Sequence, residues 1–255
     1  MKFNLADFRE KWVLSIKVLI IIVIPGLIIQ YIIRSKGLNV LDMNIIIASL
    51  LTGAVFLIGF MLAGTLQDFK ESEQLIGNLA TGILSIQDTN RLQKSAQKRR
   101  SFLIYLTALT KTIKGWLEQT KTYDDVLKSI NDLSNYFKQL PDSERVQDEQ
   151  KMLRQIVMRI HVIKETTFIK AGYTIMEIIS AAVIILIMFS QSDIYLLGAA
   201  TYAASSFTLV YMIMLIRDMD DPFEFSTKGD KKGVAEVSII PLQDALSLLE
   251  KEQNA

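Results

Sequence analysis

The chain has 255 residues, of which 50% are hydrophobic and 22% are charged. Its formal net charge is only +1, so no overall positive charge favours binding to nucleic acid. The absence of cysteine excludes disulfides and thiolate metal sites, and the single histidine excludes a metal cluster built from several histidines of one chain. Uncharged apolar runs alternate with charge-rich segments, as in membrane proteins that carry a water-soluble domain.

Four apolar segments are long enough to cross a bilayer, because a spanning helix needs about 20 residues. The first run is longer than the apolar part of a secretory signal and lacks a cleavage motif, so we interpret it as a retained membrane helix. It contains Pro25 and Gly26, which predict a kink near its centre. The predicted crossings are Val13–Ile33, Met43–Leu66, Gly172–Phe189 and Ile194–Ile216.

Lysine and arginine residues close to the ends of the crossings predict the orientation, because such residues are retained on the cytoplasmic side. Those in the N-terminal arm, the middle segment and the tail are Lys2, Arg9, Lys11, Lys70, Lys164, Lys170, Arg217, Lys228, Lys231 and Lys232. The connection 191–193 has none, and the first connection has only Arg34 and Lys36. Both termini and the middle domain are therefore predicted to be cytoplasmic, in a plasma or inner membrane.

The predicted organisation has an arm with two crossings (1–66), a cytoplasmic helical domain (67–171), two further crossings (172–216) and a cytoplasmic tail (217–255). Apolar residues recur at helical spacing throughout the middle domain, and Pro141 is its clearest break. No helix breaker follows the second crossing through Ile76, so that helix is predicted to leave the membrane unbroken. The third crossing is likewise predicted to continue the helix before it. The only candidate strand is Val234–Ile240.

The fold class predicted from these patterns is an all-α membrane protein. Four transmembrane helices carry long extensions into the helical cytoplasmic domain.

Two charged residues fall inside the predicted crossings, about one turn from the cytoplasmic boundary. Lys17 and Glu177 could form an intramembrane pair or line the mouth of a pore, since ionisable groups in hydrocarbon are costly and often functional. Alternatively, both side chains extend to the membrane surface.

The second crossing has no charged residue and one broad face of small, hydroxyl and aromatic side chains. Arranged around a symmetry axis, its two phenylalanines would form stacked apolar rings that could gate by dewetting. Alternatively, the small residues allow close helix packing and the phenylalanines face lipid. This candidate pore face consists of Ser49, Thr52, Gly53, Phe56, Gly59, Phe60 and Ala63.

An acidic segment follows the fourth crossing. Carboxylates at this density can bind Ca²⁺, although the spacing of an EF-hand loop is absent. Alternatively, the segment docks against basic residues of the middle domain, such as those of 98–100. The candidate calcium ligands are Asp218, Asp220, Asp221 and Glu224.

No enzyme signature is present: the sequence lacks a phosphate-binding loop, a nucleophile elbow, a zinc-protease helix and a dinucleotide-binding glycine run. We therefore predict that the protein is not an enzyme, and no organic cofactor is implied. The basic residues Lys94, Lys98, Arg99 and Arg100 could contact anionic lipid or form a solvated basic face.

The string 220–224, with sequence Asp-Asp-Pro-Phe-Glu, and the stretch from Gly59-Phe60 to 69–73 resemble the bestrophin-like family, in particular its uncharacterised bacterial and plant branch. The order of crossings and cytoplasmic helices is similar to that family from end to end. Bestrophins are pentameric anion channels with an apolar neck on the second helix and a calcium-binding acidic cluster. The resemblance thus implies that Phe56 and Phe60 form the neck. The acidic run is shorter here and is broken by Pro222, which is a departure from the calcium-binding cluster of bestrophins.

The predicted function is an oligomeric ion channel, with the bilayer, inorganic ions and further copies of the chain as its partners. By the resemblance the assembly is a homo-pentamer that conducts anions through an axial pore lined by the second crossing. The alternative is a non-conducting membrane scaffold that recruits a partner through its cytoplasmic helices. Oligomeric state and pore radius discriminate between the two.

Overall fold

The computed structural model describes residues 12, 14–38, 41–42, 45–165, 170–224 and 235–254. Part of the pattern that predicts the orientation lies outside these ranges, namely Lys2, Arg9, Lys11, Lys228, Lys231 and Lys232. So do Val13 and Met43, which begin two of the predicted crossings, and Val234, which begins the candidate strand.

The described residues are almost entirely helical. The helices are α1 (Leu14–Ser35), α2 (Ile45–Arg91), α3 (Ala96–Leu117), α4 (Tyr123–Asp132), α5 (Ser143–Glu165), α6 (Lys170–Met188), α7 (Tyr195–Asp220) and α8 (Ile240–Asn254). A 3₁₀-helix, Leu133–Gln139, follows α4. Two short strands, β1 (Leu41–Asp42) and β2 (Ser190–Gln191), pair in parallel.

Four of these helices, α1, α2, α6 and α7, are long and apolar enough to cross a membrane among the residues described. The predicted fold class, an all-α membrane protein with four transmembrane helices, is confirmed. Helix α2 has 47 residues, or about 70 Å at 1.5 Å per residue, so it continues well beyond Ile76. The predicted continuity of α5 with α6 falls at 166–169, outside the described residues.

Local sequence explains where several helices begin and end. Helix α1 ends at Ser35, and Gly37 two residues later has a positive φ of 68°, which suits a residue without a side chain. The Thr122 hydroxyl and the Asp125 carboxylate each accept a backbone N–H of the other residue at the start of α4. The predicted break at Pro141 is confirmed, because Asp142 caps α5 by accepting the Arg145 N–H at 3.2 Å.

The prediction of a strand in the tail is wrong for the residues of that segment that the structure describes. Residues 236–239 have no regular secondary structure, and α8 begins at Ile240. The Val237 N–H donates to the Pro222 carbonyl at 2.9 Å, a single bond that does not extend into a ladder. The β-branched residues of this segment are buried for packing instead, since Val237 is 0% and Ile239 is 7% exposed.

The described chain divides into two compact units. The first contains Met1–Gln67 and Thr167–Asp220, and the second contains Asp68–Thr166 and Asp221–Ala255. In the first unit, α6 and α7 pack on each other and on one face of α2. The largest buried side chain of its core is Tyr202 of α7, which is 1% exposed.

The second unit has the larger apolar core. Its centre is α3, whose buried residues include Leu106 and Ile113, both 0% exposed. Helix α8 packs along α3 and buries Leu242, Ala245 and Leu249. Burial of this continuous apolar stripe is the main source of stability for the unit.

An ion pair joins α5 to α2 within the second unit. The Arg159 guanidinium donates to both carboxylate oxygens of Glu71, at 2.7 and 2.9 Å. This hydrogen bonding lowers the pKa of Glu71 from its ordinary value of 4.5. A carboxylate with a lowered pKa in the folded state stabilises the protein above the unfolded pKa, and that contribution is lost as the pH falls.

We therefore expect the melting temperature of wild type to fall more than that of Glu71→Gln when the pH is lowered from about 7 to about 4. The pair is half-exposed, so the difference should be small. Thermal unfolding of the detergent-purified protein at several pH values measures it. The matched control is Glu73→Gln, because Glu73 is exposed and forms no ion pair among the described residues. Equal pH profiles for wild type and Glu71→Gln would contradict this expectation.

Candidate functional site

The candidate pore face lies on the side of α2 that no described residue of the first unit covers. Phe56 is 76% and Phe60 is 73% exposed. The opposite side of the same helix is buried: Ala54 and Ile58 are each 1% exposed and pack against α6 and α7. At 100° per residue these two sets point in opposite directions from the helix axis. The remaining predicted members of the face, Ser49, Thr52, Gly53 and Ala63, are exposed, and Gly59 is half-buried.

The polar groups of this face are turned towards their own backbone. The Ser49 hydroxyl donates to the Ile45 carbonyl at 2.7 Å, and the Thr52 hydroxyl donates to the Ala48 carbonyl at 2.9 Å. A shallow recess of about 510 Å³ lies beside Phe56, lined by Ala48, Ser49, Thr52 and Gly53. From Ile45 to Gln67 the helix has no charged residue. The surface is therefore neutral and largely apolar.

Glu177, the acidic residue predicted inside the third crossing, has a cationic partner other than Lys17 in this chain. The Arg217 guanidinium of α7 donates to the Glu177 carboxylate of α6, and it also lies 5.8 Å from the centre of the Tyr173 ring. Lys17 is exposed on α1 and forms no ion pair with Glu177 within the chain. Within this chain the partner of Glu177 is thus Arg217, which lies one residue beyond the predicted end of the fourth crossing, and the Lys17–Glu177 pair stays a prediction.

Polar and aromatic contacts join the short connections at one end of the first unit. The Arg34 guanidinium donates to the Ser192 carbonyl at 3.0 Å and lies 5.2 Å from the centre of the Tyr195 ring. Gln30 donates to the Gly198 carbonyl at 3.5 Å. The strands β1 and β2 pair at the same end. In the sequence Arg34 bears only on the orientation, and no local pattern predicts these contacts.

Helix α1 contains a π-helical segment, Leu19–Val23, which ends two residues before Pro25. The Ile24 N–H donates to the Leu19 carbonyl, five residues earlier, so the helix is widened by one residue. Proline lacks an N–H and its ring clashes with the preceding turn, and the wider turn accommodates it. Gly26 follows, and the buried Tyr202 side chain of α7 lies directly against its α-carbon.

The predicted distortion at Pro25 thus takes the form of a π-helical segment. Its contact with Tyr202 was not predicted.

The acidic segment after the fourth crossing is divided between a helix end and a loop. Asp218 and Asp220 belong to the last turn of α7, whereas Asp221 and Glu224 follow it. Among the residues that the structure describes, no group of three or more acidic or histidine side chains is arranged to hold a metal ion. The calcium site stays a prediction.

The loop that follows α7 packs into the second unit. Phe223 is 1% exposed and belongs to that unit's apolar core. Asp221 interacts with Lys164 of α5, a basic residue of the middle domain outside the predicted segment 98–100. Burial lowers the pKa of Lys164, and the carboxylates of Asp221 and Glu165 oppose that shift. Its ammonium also lies 5.1 Å from the centre of the Trp116 ring.

Comparison with solved structures identifies the fold. A crystal structure of a membrane-protein variant matches with a TM-score of 0.75 at 15% sequence identity and covers 92% of this chain and 98% of its own. A variant of a bacterial bestrophin homologue from Klebsiella pneumoniae gives a TM-score of 0.73 at 15% identity, covering 93% of this chain and 99% of its own. Another variant gives 0.69 at 17% identity, with 93% and 96% covered. The chain has the bestrophin fold.

No protein-family model and no curated protein sequence matches the chain. At this sequence identity the likeness establishes the bestrophin fold and leaves function to be argued from the residues. The predicted resemblance to bestrophins is confirmed at the level of the fold. The chain is thus a helical membrane protein whose exposed α2 face is the feature that its own packing leaves unexplained.

Proposed function

We propose that the protein is a homo-oligomeric ion channel with an axial pore lined by α2. The observation that supports this most directly is the exposed pair Phe56 and Phe60, which lies opposite the packed face of a charge-free membrane helix. A face of this kind meets lipid, another copy or a pore. The bestrophin fold of the chain favours the pore.

The pore would require several copies of the chain. One α2 helix cannot enclose a path for ions, whereas copies related by a symmetry axis can. We propose a pentamer, following the resemblance to bestrophins. Phe56 and Phe60 of each copy would then form two stacked apolar rings, with the recess beside Ser49, Thr52 and Gly53 one turn away.

Selectivity in such a neck would come from dehydration, not from fixed charge. The α2 face has no ionisable residue, and its hydroxyls are bonded to their own backbone. Weakly hydrated ions would cross an apolar ring more readily than strongly hydrated ones. We propose anions as the conducted species, following the same resemblance.

The orientation and the domain bounds are part of this proposal. Both termini and residues 67–171 would lie in the cytoplasm, because Lys70 and Arg217 flank one end of their helices while the connection 191–193 has no positive residue. The protein would reside in a plasma or inner membrane.

The test is current recording from the purified protein in planar bilayers, combined with its mass in detergent. We expect discrete currents, a reversal potential that follows the chloride gradient and the mass of a pentamer. A monomer, or a ring silent across chloride, iodide, sodium and potassium at all voltages, would contradict the channel. A silent ring would favour the alternative, a scaffold that recruits a partner through its cytoplasmic helices.

A further inference from the structure

The second unit contains a cavity that neither the fold nor the proposed channel explains. It has a volume of about 530 Å³ and lies between the start of α3 and the end of α8. Small-molecule sites commonly occupy roughly 300–1,000 Å³, so a phosphorylated metabolite would fit. The lining residues that matter here are Arg91, Ala96, Arg99, Arg100, Leu103 and Glu252.

Three guanidinium groups and two carboxylates determine the charge around this cavity. Arg91 is committed to protein partners: it bonds to Asp88 at 2.7 Å and to both carboxylate oxygens of Glu252, at 3.1 and 2.8 Å. Arg99 and Arg100 form no ion pair among the described residues, although Glu252 lies in the field of Arg99. Three guanidiniums and the two carboxylates of Asp88 and Glu252 leave a net charge of +1 around the cavity, and in the described part of the chain the two guanidiniums without an ion pair are those of Arg99 and Arg100.

The basic residues around the start of α3 differ in their position relative to the cavity. All four side chains are exposed in the single chain, but only Arg99 and Arg100 line the cavity, whereas Lys94 and Lys98 do not. Arginine also presents a planar fork of N–H donors, which matches phosphate oxygens better than a lysine ammonium does.

The start of α3 adds donors to the cavity. Ala96 lines it and is the first residue of α3, a 22-residue helix whose first N–H groups have no partner within the helix. The positive end of the helix dipole therefore lies on the same side of the cavity as Arg99 and Arg100.

We propose that this cavity binds a phosphate-bearing anion through Arg99 and Arg100. The phosphate oxygens would accept hydrogen bonds from the two guanidiniums, while the Arg91–Glu252 pair forms a fixed wall. The proposal is independent of conduction, because it concerns only residues of the second unit. The phosphate could belong to a soluble metabolite or to a lipid headgroup, and the experiment separates these two sources.

The experiment is calorimetric titration of the full-length, detergent-purified protein with two probes, sodium pyrophosphate and dioctanoyl phosphatidic acid. The test variant is Arg99→Gln with Arg100→Gln. The control is Lys94→Gln with Lys98→Gln, which removes the same charge one to six positions away. We expect the test variant to weaken binding by at least about tenfold, because a charge-assisted hydrogen bond contributes roughly that factor. The control should change affinity by about twofold or less.

The outcomes are separable. Binding of pyrophosphate that is lost in the test variant supports a soluble phosphate, and binding of phosphatidic acid alone with the same loss supports a lipid headgroup. Equal weakening in both double variants would overturn the proposal, since it would show only general electrostatics. Failure of wild type to bind either probe would also overturn it. The single variant Arg100→Gln should lose part of the binding affinity. Because this side chain is exposed, the substitution should not disturb folding, so the proposal can still be tested if the double variant misfolds.

Discussion

Shortening both Phe56 and Phe60 to alanine should raise the unitary conductance of the reconstituted protein several-fold and weaken its discrimination between iodide and chloride. Each substitution removes an aromatic ring that is about three-quarters exposed on α2, so the proposed neck widens without loss of packing. A wider neck leaves more water around the ion, and the advantage of weakly hydrated ions decreases.

The control for this experiment removes a similar apolar area elsewhere on the membrane helices. Ile178 and Ile185 of α6 are 63% and 54% exposed, and replacing both with alanine should leave conductance and the iodide-to-chloride permeability ratio unchanged. Single-channel recording under symmetrical and bi-ionic conditions measures both quantities. Unchanged currents in the phenylalanine variant would mean that this face meets lipid or another helix, and would remove the pore assignment.

Replacing Gly26 with alanine should strongly destabilise the protein. A β-carbon at Gly26 would lie 1.7 Å from the Tyr202 hydroxyl oxygen and 2.5 Å from the ring carbon that carries it. Tyr202 is 1% exposed, so its ring has no free space into which to move. Overpacking of a dense core costs about 1–3 kcal/mol, and we expect the upper end here. The destabilisation is measured by size-exclusion chromatography of the detergent-purified protein after heating, as the temperature at which the native elution peak is lost.

Two further variants make this result specific. Gly64→Ala is the control, because Gly64 lies on α2 with no atom within 4 Å of its would-be β-carbon, and it should be neutral or slightly stabilising. Tyr202→Leu should restore part of the stability of Gly26→Ala, since it removes all the clashing atoms. Tyr202→Phe should restore less, because the ring carbon stays 2.5 Å away. Equal stability of Gly26→Ala and wild type would contradict the geometry.

Hydropathy predicted the membrane helices because the bilayer imposes one composition over a fixed length. The predicted second crossing, for instance, begins within two residues of α2 as described. The predicted continuity of that helix through Ile76 holds, but its end at Arg91 lies beyond Gly77 and Gly82 and was not predicted. Residues of its far part, such as Leu79 and Ile83, are buried in the core of the second unit, which offsets the low helix propensity of glycine. Local signals worked where a single residue decides the backbone, as at Pro141.

Contacts between distant residues could not be predicted from one sequence. Tyr202 and Gly26 are 176 positions apart, and nothing near either residue indicates the other. The pairing of Glu177 with Arg217 was not predicted either, because Arg217 lies just outside the predicted fourth crossing and the two residues are 40 positions apart. The strands β1 and β2 have two residues each, too few for any periodicity. Helical spacing predicted that Phe56 and Phe60 share one face of the helix. It did not predict which molecule or subunit covers that face in the assembly.

The contacts around Arg34 have a consequence for mutational scanning. Several interactions act in parallel at that end of the first unit: Gln30 with Gly198, Arg34 with Ser192, and β1 with β2. These groups are redundant, because the loss of any one leaves the others to hold the same connections. Single substitutions would therefore each change the free energy of unfolding only slightly. Combined variants, analysed as double-mutant cycles, would measure the joint contribution of these groups.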